Sequence, residues 1–246
     1  MQPLKNDNAL LVRYLPGDTS RQTTALREAL SILEQTVGAG DRRSVRLLDL
    51  GCGAGDSVDA FRQHYAEIEW IGMDIAESPE SSGRTRGDAT FITYDGINIP
   101  LLDASVDVIF SHQVFEHVRQ PSELLPQVFR VLKPGGWFVG STSHLEPYHS
   151  RSHWNFTPYG FISLLVDAGF PDVRIRPGID GLTLILRRLL SYARIRIGRW
   201  FFEHESPLNC IIEMVGRAAR IEVDKRAAMK LLFCGHFIFS ARKPGE

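Results

Sequence analysis

Two groups of residues in this chain have the types and spacing to do chemistry. The first is the run Asp49-Leu50-Gly51-Cys52-Gly53-Ala54-Gly55, with three glycines on alternate positions. Glycine permits positive φ and lets a ligand lie directly on the backbone. An apolar run over 45–50 precedes these glycines and a helix-forming run follows them. A strand, a glycine turn and a helix aim backbone N–H groups and a positive helix end at one ligand. Asp74 follows about twenty residues later, where a carboxylate at the end of a second strand accepts both hydroxyls of a ribose. An adenosine-bearing cofactor satisfies both features. The second group is histidine: five of the eight, His112, His117, His144, His149 and His153, fall between residues 112 and 153. Histidine titrates near neutrality and can take a proton from an acceptor hydroxyl.

Alternating strands and helices must position these groups. The hydrophobic runs predict strands over 45–50, 68–73, 89–93, 106–111, 137–142, 173–176 and 233–241. Helices are expected from Thr19 or Ser20, as cap, to Val37, then up to about Tyr65, over 123–132, and over 157–168 with Thr157 as cap and Pro158 at the first position. This alternation predicts an α/β fold, a seven-stranded, mostly parallel sheet covered on both faces. All five clustered histidines follow the fourth or fifth strand, at the C-terminal ends of the sheet where open α/β folds bind ligands. The chain divides into an N-terminal helical segment (1–43), a cofactor-binding core (44–180), a helical insertion before the last strand (181–230), and the final strand with its tail (231–246).

Composition bounds the rest. A chain of 246 residues is long enough for one domain with an elaboration, and its formal net charge of −1 gives no general pull toward nucleic acid. Cys52, Cys210 and Cys234 are scattered, which implies a reducing compartment and no zinc motif. The first eight residues lack the apolar core of a signal peptide, and no apolar run could span a bilayer, so a cytoplasmic protein is expected. In the insertion, Leu186, Leu189, Leu190, Ala193, Ile197 and Trp200 form a helical stripe. Arg187, Arg188, Arg194, Arg196 and Arg199 lie off it, and no acid occurs over 181–202. Such a helix can lie on the anionic inner face of a membrane or on an acidic substrate. It can equally pack on the body or on a second copy in a homodimer.

At this point the chain resembles the class I S-adenosylmethionine-dependent methyltransferases. The glycine spacing departs from the Gly-x-Gly-x-x-Gly of NAD sites. The matching pieces are Asp49 to Gly55, Gly72-Met73-Asp74, Tyr94-Asp95-Gly96 with Ile99-Pro100-Leu101, Ser105-Val106-Asp107-Val108-Ile109 and Phe115-Glu116-His117-Val118. Arg130-Val131-Leu132-Lys133-Pro134-Gly135-Gly136 and Asp167-Ala168-Gly169-Phe170 complete the series. The resemblance covers about residues 44 to 176 and implies a Rossmann-like sheet with S-adenosyl-L-methionine as cofactor. It implies backbone contacts from Gly51, Gly53 and Gly55, with Cys52 between them. Asp49 would orient the methionine amino group, Asp74 would accept the ribose hydroxyls, and Ile75 would lie against the adenine. Asp95 would accept from the adenine amine, or serve only its own turn, and the Gly96 N–H would meet a ring nitrogen. Ser111 and Gln113 would close over the methionine carboxylate, and Asp107 would be structural.

Methyl transfer is an in-line displacement in which the protein chiefly aligns acceptor, methyl and sulfur. The loop 143–156 mixes bases, aromatics and hydrogen-bonding groups, which suits a sugar or phenol hydroxyl. His144 is the first choice for base, followed by His117, His149 and His153, each of which could also be structural or merely exposed. Some quinone-pathway methyltransferases carry a Glu-x-x-Glu-His metal set. Here the first position is Gln113, ahead of Glu116 and His117, so no metal is expected. The sequence also resembles methyltransferases of polysaccharide and natural-product clusters. O-methylation of a glycan or other small molecule therefore leads. N-methylation of a small molecule and a non-catalytic cofactor-binding partner are the alternatives. Ser111-His112-Gln113-Val114 stands where nucleic-acid N-methyltransferases carry Asn/Asp-Pro-Pro-aromatic, so no nucleic-acid partner is expected.

Overall fold

A computed structural model describes residues 7–37, 44–192, 194, 201 and 204–245. At its centre β1 (Val45–Leu50) is a short apolar strand buried on both faces, as a central parallel strand must be. It pairs in parallel with β2 (Ile68–Ile75) on one side and β4 (Val106–His112) on the other. β3 (Thr90–Tyr94) lies outside β2. Beyond β4 come β5 (Leu132–Ser143), then β7 (His236–Arg242), then β6 (Asp172–Pro177), giving the order β3-β2-β1-β4-β5-β7-β6. β7 runs antiparallel to both neighbours and every other pairing is parallel. The Rossmann-like fold expected from the sequence is therefore present. The strand order reverses between β1 and β4, which opens the crevice at the C-terminal ends of the strands.

Alternation along β1 divides its side chains between two cores. Leu48 and Leu50 join Phe138, Phe161, Phe170 and Phe239 under α5 (Pro121–Val131) and α6 (Pro158–Asp167). Leu47 packs on the other face with α2 (Ala25–Val37) and α3 (Ser57–His64), through Ala29, Leu33, Val58 and Phe61. Asp49 shares this second face, which brings it against the first residue of α3. Thr157 caps α6 by accepting the Gly160 N–H at 3.0 Å, with Pro158 at the first position.

Two expected boundaries shift for tertiary reasons. α2 does not start at Thr19 or Ser20. Its start is marked by Thr24, whose Oγ1 accepts the Arg27 N–H at 3.3 Å. The preceding residues are held by the insertion instead: Ser20 O accepts from Lys230 Nζ at 2.8 Å, and Gln22 Oε1 accepts from Ser206 N at 2.8 Å and Asn209 Nδ2 at 2.9 Å. The last strand starts at His236 rather than residue 233, because the helix before it continues through Leu232 and Cys234 bridges back to Asp180.

Among the described residues, that insertion contains α7 (Gly181–Tyr192), α8 (Pro207–Ala218) and α9 (Val223–Leu232). Leu186 and Leu189 of the expected stripe are exposed, and α7 turns Thr183 and Leu184 inward. The continuation of that stripe through Ile197 and Trp200, with Arg196 and Arg199, lies outside the described residues. A short helix, α1 (Asp7–Val12), packs near α9, and α4 (Pro79–Ser82) follows β2. No helix among the described residues is long and apolar enough to cross a membrane.

Candidate functional site

The glycine turn leaves β1 with φ of +77° at Gly51, +52° at Gly53 and +86° at Gly55, a region that L side chains rarely adopt. A Cβ on Gly51 would stand 2.3 Å from Val114 Cγ2, so the turn lies directly against the loop after β4. Gly51 N and Cys52 N both donate to Met73 O, at 2.7 and 3.1 Å, and lock the turn to β2. Asp74, one residue before the end of β2, has its Oδ2 accepting the Gly53 N–H at 2.7 Å and its Oδ1 accepting the Ile75 N–H at 2.7 Å. Ile75 is 40% exposed, and a Cβ on Gly96, which has φ +90°, would stand 3.6 Å from its Cγ2. Asp49 is buried, and its Oδ2 accepts from Ser57 Oγ at 2.5 Å, while Ser57 in turn accepts from Trp70 Nε1 at 3.0 Å. Burial pushes the Asp49 carboxyl up to about 7, and Asp74 and Asp56 nearby push the same way against the Ser57 bond.

Beside this turn, across the loop after β4, the structure gathers a cluster of titratable groups. Glu116, fully buried, follows β4 and accepts from Thr142 Oγ1 at 3.0 Å. Burial raises its carboxyl to about 7. Ser143 Oγ stands 2.5 Å from Glu146 Oε2 and 3.3 Å from both Glu116 Oε1 and Gln113 Oε1. One hydroxyl hydrogen cannot serve three acceptors. The short contact to Glu146 takes it. Glu146 also meets His236 Nε2 at 2.7 Å and His149 Nδ1 at 3.6 Å. Burial raises the Glu146 carboxyl, but His236 and Ser143 outweigh it and hold the group at about 2. His149 packs edge-on to His117, ring centroids 5.2 Å apart. Burial and then His149 hold His117 below the ordinary histidine value, while Glu80, whose Cβ lies over Gly53, acts the other way.

Residues 48–140 match the family described as methyltransferase domain. A protein described as a "Probable S-adenosylmethionine-dependent methyltransferase" of Mycolicibacterium smegmatis is 32% identical over 136 residues, 50% of this chain and 51% of that protein. A ubiquinone biosynthesis O-methyltransferase of Leptothrix cholodnii is 32% identical over 126 residues, 48% of this chain and 52% of its own. The chain thus spans about half the length of these two curated relatives. Residues 48–140 carry a methyltransferase domain of the S-adenosylmethionine-dependent kind. Its fold is also that of phosphoethanolamine N-methyltransferase 2 of Haemonchus contortus, solved with S-adenosyl-L-methionine. That likeness has a TM-score of 0.56 at 17% identity and covers 89% of this chain and 52% of that one.

S-adenosyl-L-methionine is the cofactor of this methyltransferase domain, and the residues present suit it. The Asp74 carboxylate, which accepts the Gly53 N–H, and the exposed Ile75 adjoin the positive-φ glycine turn. Ser111 Oγ is buried at the end of β4 with no hydrogen-bond partner among the described residues.

Other expected residues of the methyltransferase domain lie where the sequence could not place them. Gln113 follows Ser111 at φ +56°, and its Nε2 donates to Ser141 Oγ at 2.9 Å. Cys52 is buried beside Arg84, its thiol pushed by burial up to about 12. Asp95 is exposed, and its carboxylate accepts from Ile97 N, Asn98 N and Asn98 Nδ2 at 2.7–2.8 Å. That is the turn geometry open to any Asp before glycine. Asp107 accepts from Arg46 N and Lys133 Nζ, at 2.9 and 2.7 Å, within the sheet. His144 lies apart from the cluster. Its Nδ1 donates to Phe156 O at 2.9 Å, and its ring lines an apolar pocket with Leu11, Pro158 and Leu231. His153 is exposed, and only its backbone N–H reaches the cluster, donating to Glu116 O at 2.7 Å.

Sequence reading missed Glu146 and His236, which sit 90 residues apart and meet only because β7 lies beside β5. It also missed Arg84, whose Nε and Nη2 donate to Gly53 O at 3.1 and 2.6 Å beneath a ring contact of 3.9 Å with Phe91. Its only sequence signal was a basic pair, Arg84 and Arg86, in a polar loop. Glu116, His117 and His149 place one ligand atom each within 4.8 Å of one another, a set that could hold a metal ion. By sequence no metal is expected, because Gln113 stands at the first ligand position; the Glu116 carboxyl faces Thr142 and Ser143, and burial raises it.

Proposed function

We propose that this protein transfers a methyl group from S-adenosyl-L-methionine to a hydroxyl of a sugar, glycan or other small molecule, with His117 as the base. The observation that carries the reading is the adjacency of His117 and His149 to the glycine turn, through Val114 against Gly51 and Glu80 over Gly53. When bound, the cofactor supplies a methyl group on a sulfonium, which departs as a neutral thioether. The chain must orient the acceptor oxygen in line with it and receive the hydroxyl proton. His117, held below the ordinary histidine value by burial and by His149, is neutral at physiological pH and has a lone pair to receive it. Tyr148 and Trp154, 77% and 45% exposed in the neighbouring loop, offer flat apolar faces to a ring-shaped acceptor. The ubiquinone-pathway relative, an O-methyltransferase by name, supports oxygen as the methylated atom.

The test is formation of S-adenosylhomocysteine by purified protein with a panel of phenols and sugars, with cofactor affinity measured separately. His117→Ala is expected to lose about a hundredfold in turnover at near-unchanged cofactor affinity. His144→Ala is expected to keep most of its turnover, since its ring lies in the apolar pocket. No product with any hydroxyl acceptor, or full turnover in His117→Ala, overturns the proposal.

A further inference from the structure

The outward faces of α7 and α8 are apolar, and nothing in the methyltransferase reading uses them. On α7, Ile185, Leu186, Leu189 and Tyr192 are 44–83% exposed and recur at helical spacing along one side. On the neighbouring α8, Ile211, Met214 and Val215 are 52–66% exposed and form a second such stripe. The two stripes belong to adjacent helices of one insertion. Leu145 in the acceptor loop, 43% exposed, adjoins them: a Cβ on Gly181, where α7 begins, would stand 2.9 Å from Leu145 Cβ. A soluble surface rarely concentrates so many large apolar side chains without a partner for them.

The charge around this surface selects the partner. Among the described residues, α7 carries Arg187 and Arg188 and no acid, Arg194 lies just beyond it, and Arg188 and Arg194 are exposed. A second copy of the chain meeting this face across a two-fold axis would bring like charges together, with no acid on α7 to neutralise them. A layer of anionic lipid headgroups meets both requirements, because its acyl region receives the apolar stripes and its surface potential attracts arginines at the interface. We propose that the α7–α8 face docks on an anionic lipid surface and sets the acceptor loop beside it.

Flotation of the full chain with vesicles tests this without any acceptor. The protein is expected to float with vesicles containing phosphatidylglycerol, and to stay in solution with vesicles of phosphatidylcholine alone. Leu189→Glu combined with Met214→Glu, at positions too exposed to disturb the core, is expected to cut partitioning at least tenfold with the melting temperature unchanged. Arg188→Gln with Arg194→Gln removes two interfacial charges and is expected to cut it about fivefold for each. Three results overturn the proposal: no flotation of the wild-type chain, equal flotation on neutral vesicles, or a solution dimer that both Glu substitutions dissociate.

Discussion

Glu146 Oε2 and His236 Nε2 stand 2.7 Å apart, so one pair of side chains closes the acceptor loop onto β7. Glu146 is held at about 2, below its ordinary value of 4.5. A depressed carboxylate contributes stability that is present above 4.5 and is lost as pH falls toward 2. Glu146→Gln is therefore expected to lose about 1–3 kcal/mol at pH 7. It should also show a flatter fall in stability between pH 4.5 and 2 than wild type, measured by denaturant titration at each pH.

Asp49 carries the opposite sign. Its folded value of about 7 lies above the ordinary 3.8, so the protonated form is favoured in the fold and stability is lost as pH rises from about 4 through 7. Asp49→Asn can still accept from Ser57 without ionising. The variant should gain roughly 4 kcal/mol over wild type at pH 8 and nothing below pH 4. Thermal melts across that range decide it.

The cofactor turn rests on Asp74 and Gly51. Asp74→Ala removes the acceptor for Gly53 N–H and the carboxylate expected to take the ribose hydroxyls, so calorimetry should show cofactor affinity reduced at least tenfold. Gly51→Ala puts a Cβ into Val114 at a φ of +77° and should cost about 2 kcal/mol or more of stability as well as cofactor binding.

Lys230 tests the attachment of the insertion. Its ammonium is fully buried among Ser20 O, Glu205 and Glu213, and Glu213 is held at about 2, burial being outweighed by Ser20, Arg217 and Lys230. Lys230→Met leaves Glu205 without a cation and takes one of three from Glu213, and should destabilise by about 3–5 kcal/mol. Combining it with Glu205→Gln should recover part of that loss in the same unfolding measurement.

Chelation examines the Glu116–His117–His149 set. Because the Glu116 carboxyl leans toward its protonated form and Thr142 donates to it, turnover is expected to survive EDTA and to be unchanged by added divalent cations. Loss of turnover on chelation, restored by a single metal, would reverse that expectation.

Much of the fold was legible because its signals are local. The apolar run of β1, the Thr157–Pro158 helix start and the positive-φ glycines each follow from a few adjacent residues. The start of α2 was not legible. Thr19 and Ser20 are good caps by type, yet the insertion holds Ser20 and Gln22 in a non-helical path, and a contact about 190 residues away leaves no local trace. By sequence His144 is the first choice for base because it directly follows a strand. Position after a strand fixes which end of the sheet a residue reaches, but not which neighbours its ring meets. The ring bonds Phe156 O in an apolar pocket, while His117 and His149 converge from separate loops.

By itself, then, the sequence determined an adenosine-cofactor turn on a parallel sheet, because glycine spacing and strand patterning act over a few residues at a time. Only the tertiary structure decided which histidines meet, what lowers the Glu146 carboxyl and raises that of Glu116, and which face of the arginine-rich helix looks outward. Each of these depends on burial and on partners from distant segments. Those are set by the β3-β2-β1-β4-β5-β7-β6 order and by the packing of the insertion, rather than by any residue's own type.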